Sequence, residues 1–194
     1  YYTIAFKVCQ RNHKHDGRFF DHFLSLFLFF SHMKFFNRKK ENENNINIVS
    51  PIKGDVLPIE QTPDQLFAGK ALGDGVVIKP KHGSLDSPCH GVVEVLFPTK
   101  HAIGIRLDNG ASLFIHFGLE TVRLNGQGFE TFVKQGQRIK KGKLLLEVDL
   151  DYIRENAADD CVILAISELK DNFTINKNYG VHEVGDDIIT IKGK

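Results

Sequence analysis

The sequence predicts an all-β fold, an antiparallel β-sandwich or barrel of duplicated hairpin motifs with one or two short helices. Three observations carry this. From Ile46 onward, short β-rich runs recur between Gly, Pro, Asp and Asn breaks, a spacing that belongs to sandwiches and barrels and not to alternating strand–helix units. Asp108-Asn109-Gly110 separates two apolar arms, the strongest short-range hairpin signal. Finally, the chain echoes itself. Ser50-Pro51-Ile52-Lys53-Gly54-Asp55-Val56 returns as Ser87-Pro88-Cys89-His90-Gly91-Val92-Val93. Val133-Lys134-Gln135-Gly136 and Ile139-Lys140-Lys141-Gly142-Lys143-Leu144-Leu145-Leu146 return loosely as Val181-His182-Glu183-Val184-Gly185-Asp186-Asp187-Ile188-Ile189. Each echo is a strand entered through a glycine turn.

The runs place strands at 46–49, 54–59, 75–79, 91–97, 102–107, 112–117, 129–132, 143–148, 161–167 and 187–191. Thr62-Pro63, a cap residue followed by proline at the first helical position, predicts a helix over 63–69. A second short helix is expected over 151–156.

Composition changes near Asn45. Residues 1–36 hold nine of the sixteen phenylalanines, and Phe23–Phe30 is an apolar run far shorter than the roughly 20 residues of a membrane span. No small-residue cleavage site follows it. The single methionine is Met33, and Lys34-Phe35-Phe36-Asn37-Arg38-Lys39-Lys40 reads as a cytoplasmic N-terminus. The expected organisation is therefore an over-extended reading frame at 1–32, a polar and basic tail and linker at 33–45, and one domain at 46–194.

Charge and cysteine usage exclude several classes. Lys+Arg 25 against Asp+Glu 24 gives a net charge of +1, no electrostatic basis for a nucleic-acid binder. Cys9, Cys89 and Cys161 match no zinc or redox spacing and fit buried thiols in a reducing compartment. Gly136 to Gly142-Lys143 is one residue too long for a phosphate loop, and Leu144 replaces its hydroxyl. Neither GxSxG nor HExxH occurs.

The chemistry gathers on two histidines fifteen residues apart, one in Phe97-Pro98-Thr99-Lys100-His101-Ala102-Ile103-Gly104 and one in Leu113-Phe114-Ile115-His116-Phe117-Gly118-Leu119-Glu120-Thr121-Val122. A hairpin closing at Asp108-Asn109-Gly110 lets them approach each other across neighbouring strands. Two imidazoles in an apolar wall point to phosphate or metal as what they handle. A neutral imidazole, with a pKa of about 6.5, is a good phosphoryl acceptor near neutrality.

These two blocks resemble the paired signatures of the glucose-family enzyme IIA domain of the bacterial sugar phosphotransferase system. The likeness runs from about Ser50 to Ile166 and includes Gly73-Asp74-Gly75, Gly126-Gln127-Gly128-Phe129-Glu130 and Leu146-Glu147-Val148-Asp149-Leu150-Asp151-Tyr152-Ile153. The resemblance implies an antiparallel sandwich of duplicated hairpins and a phosphotransferase component, with no cofactor and no metal. It implies that His116 is phosphorylated through Nε2, that His101 and Thr99 cradle the phosphate, and that the Gly118 carbonyl orients the active imidazole through Nδ1–H. The implied partners are the phosphocarrier protein HPr and the cysteine of an enzyme IIB acting in trans. Contact with the membrane is then only indirect, through a sugar permease, and the location is the cytoplasm.

Around the pair, Leu66, Phe67, Ala71, Phe97, Phe114 and Val122 are expected to form an exposed apolar docking collar, with Phe67 the most outward-facing. Asp64, Asp74 and Glu120 are candidates to meet basic residues of a phosphodonor. Arg123 departs from the acidic rim that the resemblance implies. Two other readings are a binding protein regulated by its own phosphorylation and a zinc hydrolase. The hydrolase lacks a third ligand and has Phe114 where a His-x-His pair needs histidine.

Overall fold

The computed structural model describes residues 45–169 and 173–193. The expected segment 1–32 and all of 33–45 except Asn45 lie outside the described residues, and so do Cys9, His13, His15, His22 and His32.

Fourteen strands are found among the described residues. In chain order they are β1 (Ile46–Val49), β2 (Gly54–Pro58), β3 (Asp74–Pro80), β4 (Ser84–Asp86), β5 (Gly91–Leu96), β6 (Ala102–Leu107), β7 (Ser112–Leu119), β8 (Phe129–Thr131), β9 (Arg138–Ile139), β10 (Leu144–Val148), β11 (Asp159–Ser167), β12 (Phe173–Lys177), β13 (Gly180–His182) and β14 (Asp187–Gly193). All pairings are antiparallel. An eight-stranded sheet runs β13-β2-β3-β11-β7-β6-β5-β9, and two three-stranded sheets run β1-β14-β12 and β4-β10-β8. The sheets enclose one apolar core in which Ile48, Val56, Ile78, Leu85, Ile103, Ile105, Ile115, Phe117, Leu145 and Ile191 are all but fully buried. Each such side chain contributes about 1.5–3 kcal/mol by leaving water.

The sequence echoes become structural repeats. Ser50 Oγ donates to the Ile52 carbonyl at 2.7 Å, and Ser87 Oγ donates to the Cys89 carbonyl at 2.8 Å. Gly185 N donates to Ser50 O at 3.0 Å where Gly142 N donates to Ser87 O at 2.8 Å. Gly54 opens β2 between Pro80 and His182, while Gly91 opens β5 between Leu107 and Ile139. A Cβ would lie 2.4 Å from Lys79 O at Gly54 and 2.5 Å from Arg106 O at Gly91, so both strands start on a residue without a side chain. The halves β13-β2-β3-β11 and β9-β5-β6-β7 thus repeat one motif and meet at the β11–β7 seam.

The first helix is shorter than the expected 63–69, and the second begins one residue before the expected 151–156. The first, α1 (Gln65–Ala68), is capped by Asp64, whose carboxylate accepts from Leu66 N at 2.7 Å. Thr62 is not the cap; it closes the preceding 3-10 turn, Ile59–Gln61, through its N–H to Ile59 O. That turn ends the strand expected over 54–59 at Pro58. The second helix, α2 (Leu150–Asn156), is capped by Asp149, which accepts from Tyr152 N at 3.0 Å. No helix among the described residues is long and apolar enough to cross a membrane.

Candidate functional site

The β6–β7 hairpin closes where the sequence places it. Leu107 N donates to Ala111 O, Gly110 adopts φ +88°, and Asn109 Oδ1 accepts from Ala111 N at 3.0 Å. This is a three-residue loop with glycine in the left-handed position. Its register pairs Ala102 with His116, and Phe117 N donates to His101 O at 2.8 Å. The two imidazoles therefore meet, ring centroids 4.9 Å apart and edge to face at 80°.

His101 follows the tight Phe97–Lys100 turn and immediately precedes β6; in that turn Lys100 N donates to Phe97 O and Lys100 is left-handed at φ +59°. Thr99 Oγ1 lies 2.6 Å from His101 Nδ1. The Thr99 hydroxyl thus holds one edge of that imidazole and sets which nitrogen of the ring faces the site. His101 is 1 % exposed and His116 is 9 % exposed. Nδ1 of His116 is among the buried atoms.

Strand β7 is buried on both faces. Leu113, Ile115 and Phe117 enter the core, while Phe114 and His116 face an aromatic floor. There Phe67 of α1 lies 5.3 Å from the His116 ring and stacks on Phe114 at 6.5 Å, and Phe97 lies 5.4 Å from His101 and 6.1 Å from Phe114.

The collar expectation needs correction here. Phe67 is 4 % exposed and Phe114 2 %, so both are packed against the histidines instead of projecting outward. Asp64 caps α1 on the Phe67 side of the site, and the helix turns Phe67 inward. Leu66, Phe97 and Val122 are half-buried, and Ala71 is exposed.

Gly118 follows at φ +72°, and a Cβ there would lie 2.4 Å from Thr121 Cγ2. Thr121 is fully buried; its hydroxyl donates to Phe117 O at 2.9 Å and reaches Gly118 O at 3.5 Å. Thr121 is a site residue to which the sequence alone assigns no role. The signal available was a hydroxyl three residues beyond a glycine at the end of a strand.

The acidic candidates are engaged within the chain. Glu120 pairs with Arg123 at 2.8 Å, and Arg123 also donates to Asn156 O, so the rim beside the site carries a neutralised pair. Asp74 accepts from Lys177 at 2.8 Å and pairs with Lys70 at 3.1 Å. Burial raises the Asp74 pKa, but the Lys177 and Lys70 hydrogen bonds outweigh it and hold the carboxyl below its usual range. By register, Asp74 in β3 occupies the position that His101 occupies before β6, each six residues ahead of the partner of its half's opening glycine.

The other groups do not join the site. His82 Nδ1 accepts from Ser84 N and His90 Nδ1 accepts from Lys141 N, both at 3.3 Å in turns, while His182 lies 3.7 Å from Asp186. Cys89 and Cys161 are buried free thiols. Burial, with a smaller contribution from Asp108, pushes Cys89 up to about 12; burial and then Asp159 push Cys161 upward as well. Neither thiol is a thiolate near neutral pH. Among the described residues, no group of three or more His, Cys, Asp or Glu side chains could hold a metal ion.

Fold and site together define an antiparallel β-sandwich that presents two facing imidazoles from adjacent strands on an aromatic floor. Residues 46–172 match the family described as the phosphoenolpyruvate-dependent sugar phosphotransferase system, EIIA 1. The chain is 46% identical over 131 residues to the PTS system glucose-specific EIICBA component of Staphylococcus saprophyticus, a match covering 68% of this chain and 19% of that protein. It is 43% identical over 145 residues to the component of the same name from Staphylococcus carnosus, covering 75% and 22%. The chain thus spans about a fifth of the length of these curated relatives. Among solved structures, the glucose permease IIA from Mycoplasma capricolum matches with a TM-score of 0.72 and 31% identity, over 81% of this chain and 99% of that one. The chain belongs to the EIIA 1 family of the phosphoenolpyruvate-dependent sugar phosphotransferase system, whose members are phosphoryl-transferring components.

Proposed function

We propose that His116 is the phosphoryl acceptor, that HPr is its donor, and that the cysteine of an enzyme IIB is the next acceptor on the way to sugar uptake. The observation that carries this is the imidazole pair, 4.9 Å apart on paired strands. Phosphoryl transfer needs in-line positioning and donors for the equatorial oxygens more than covalent help. Burial of Nδ1 of His116 supports assigning the phosphoryl group to the other ring nitrogen, Nε2. In the first step the donor's phosphorus–nitrogen bond breaks as phosphorus–Nε2 forms, and the donor imidazole leaves with the electron pair. In the second step the phosphorus–Nε2 bond breaks, its electrons return to Nε2, and a thiolate sulfur takes the phosphoryl group.

His101 serves both steps. When the Thr99 hydroxyl donates to His101 Nδ1, the ring hydrogen rests on Nε2 and can bond a phosphate oxygen. Gly118 presents its carbonyl to Nδ1–H of His116 and so keeps Nε2 as the nucleophile. Leu66, Phe97, Ala71 and Val122 form the outer docking surface, with Phe67 and Phe114 beneath it; Asp64, Asp74 and Glu120 stand at its edge, Asp74 already paired with Lys177 and Lys70 and Glu120 with Arg123. The functional unit is 46–194, and the location is the cytoplasm, in keeping with the free thiols of Cys89 and Cys161.

The test is radiolabel transfer from phosphoenolpyruvate through enzyme I and HPr. His116→Gln abolishes labelling. His101→Gln still labels, and its onward transfer to a IIB domain falls by at least about 100-fold. A His116→Gln protein that labels normally overturns the assignment.

A further inference from the structure

The segment that fails as a phosphate loop carries a different feature. Residues 134–143 contain Lys134, Arg138, Lys140, Lys141 and Lys143, all exposed, and no acidic residue. Arg138 pairs with Asp108 at 2.9 Å. Among the described residues, no carboxylate forms an ion pair with any of the four lysines. In the adjoining ladders Asp86 lies opposite Leu144, and Glu130 and Glu147 lie opposite each other across β8 and β10. A Cβ at Gly136 or Gly142 would meet nothing within 4 Å, while their N–H groups anchor the two turns to Val93 O and Ser87 O.

The fold does not require these lysines. In the other half, Gly185 replaces Gly142, and Glu183, Val184 and Asp186 stand where Lys140, Lys141 and Lys143 stand here. The same turn therefore forms with the opposite charge. The acidic turn also satisfies its charge internally: Glu183 pairs with Lys53 at 2.6 Å, and Asp186 accepts from Glu183 N at 2.8 Å. It leaves little for the lysines of a second copy to neutralise.

A second observation selects the partner. Phe132 is one of four large exposed apolar side chains among the described residues, at 38 %, and its N–H donates to Leu145 O, beside the lysine turn. An aromatic ring among cations is the combination that seats at an anionic lipid interface, the ring at headgroup depth and the ammonium groups in the surface potential. Four of the five cations are lysines, point charges suited to a diffuse anionic surface and not to forked recognition of single carboxylates.

We propose that the turn Ile139–Lys143, with Lys134, Arg138 and Phe132, docks this domain on an anionic membrane surface. The turn lies beside Gly91 at the start of β5, whereas Phe97 and the imidazole pair lie past its far end, about 20 Å away at strand rise. The docked domain keeps its histidines clear of the lipid.

Flotation of the full chain with vesicles tests this. Phosphatidylcholine vesicles capture little protein, and vesicles with about 30 % phosphatidylglycerol capture it in a manner lost at high salt. K140E/K141E/K143E lowers partitioning about 100-fold, and Phe132→Gln lowers it several-fold. Equal partitioning of the triple variant and the parent overturns the proposal. So does binding to polyglutamate, or concentration-dependent dimerisation, without vesicle binding. The triple variant labels normally in vesicle-free phosphorylation, so failure here is separable from failure of the His116 assignment.

Discussion

Gly118 is under the tightest local constraint at the site. Its φ of +72° is left-handed, and the Thr121 methyl fills the space that a side chain would need. Gly118→Ala is expected to cost about 2–3 kcal/mol by combining strain with overlap. It also moves the carbonyl proposed to orient His116. Thermal melts and phosphorylation rates measured together check this: loss of stability with an unchanged rate would remove Gly118 from the orienting role. At this scale the sequence was informative about identity and less so about direction. His101, His116 and Thr99 come together as their spacing around Asp108-Asn109-Gly110 implies. Phe67 reads as a partner-facing residue in the sequence because it lies on a short helix beside Pro63-Asp64. It turns inward because Asp64, not Thr62, caps that helix and rotates its apolar face onto Phe114 and His116. Capping by one of several adjacent polar residues is decided by tertiary fit, which the sequence does not display.

At the scale of elements, the ladders that hold the site are fastened by ion pairs whose carboxylates titrate. Asp159, at the head of β11, accepts from Lys79 at 2.8 Å and from Cys161 N at 2.8 Å. Burial raises its pKa, yet the Lys79 and Cys161 bonds prevail and depress it. A carboxyl depressed in the folded state stabilises the fold above its unfolded pKa of about 3.9, and that contribution is lost as pH falls through the folded value. Asp159→Asn should therefore lower the melting temperature at neutral pH and flatten its fall below about pH 4. A parallel acid limb in parent and variant would contradict this coupling. The long strands were legible because β2, β5 and β7 carry apolar runs bounded by glycine and turn residues. Four strands were not. β4 buries only Leu85, and β9 has two residues, too few for any period to show. β12 and β13 lie among asparagines and lysines, residues depleted from strands, and are held by pairing to β14 and β2.

At the scale of the whole molecule, duplication sets both the architecture and the place of the chemistry. Two copies of one motif meet at the β11–β7 seam, and only one half carries histidines at the paired positions, with Asp74 and Ala165 standing for them in the other. The echoes at Ser50 and Ser87 made this repeat visible because each serine and glycine does a backbone task that few other residues can do. The charge contrast between the turns at Gly142 and Gly185 was equally visible, but its meaning required the hydrogen bonds showing the two turns to be equivalent. The central claim is that the half bearing both histidines carries the phosphoryl group on one defined nitrogen. Phosphorus–nitrogen correlation NMR on the uniformly 15N-labelled chain, phosphorylated by phosphoenolpyruvate, enzyme I and HPr, tests it directly. The account predicts a single phosphorus coupled to Nε2 of His116; coupling to His101, to Nδ1 of His116 or to any histidine outside the pair would contradict it.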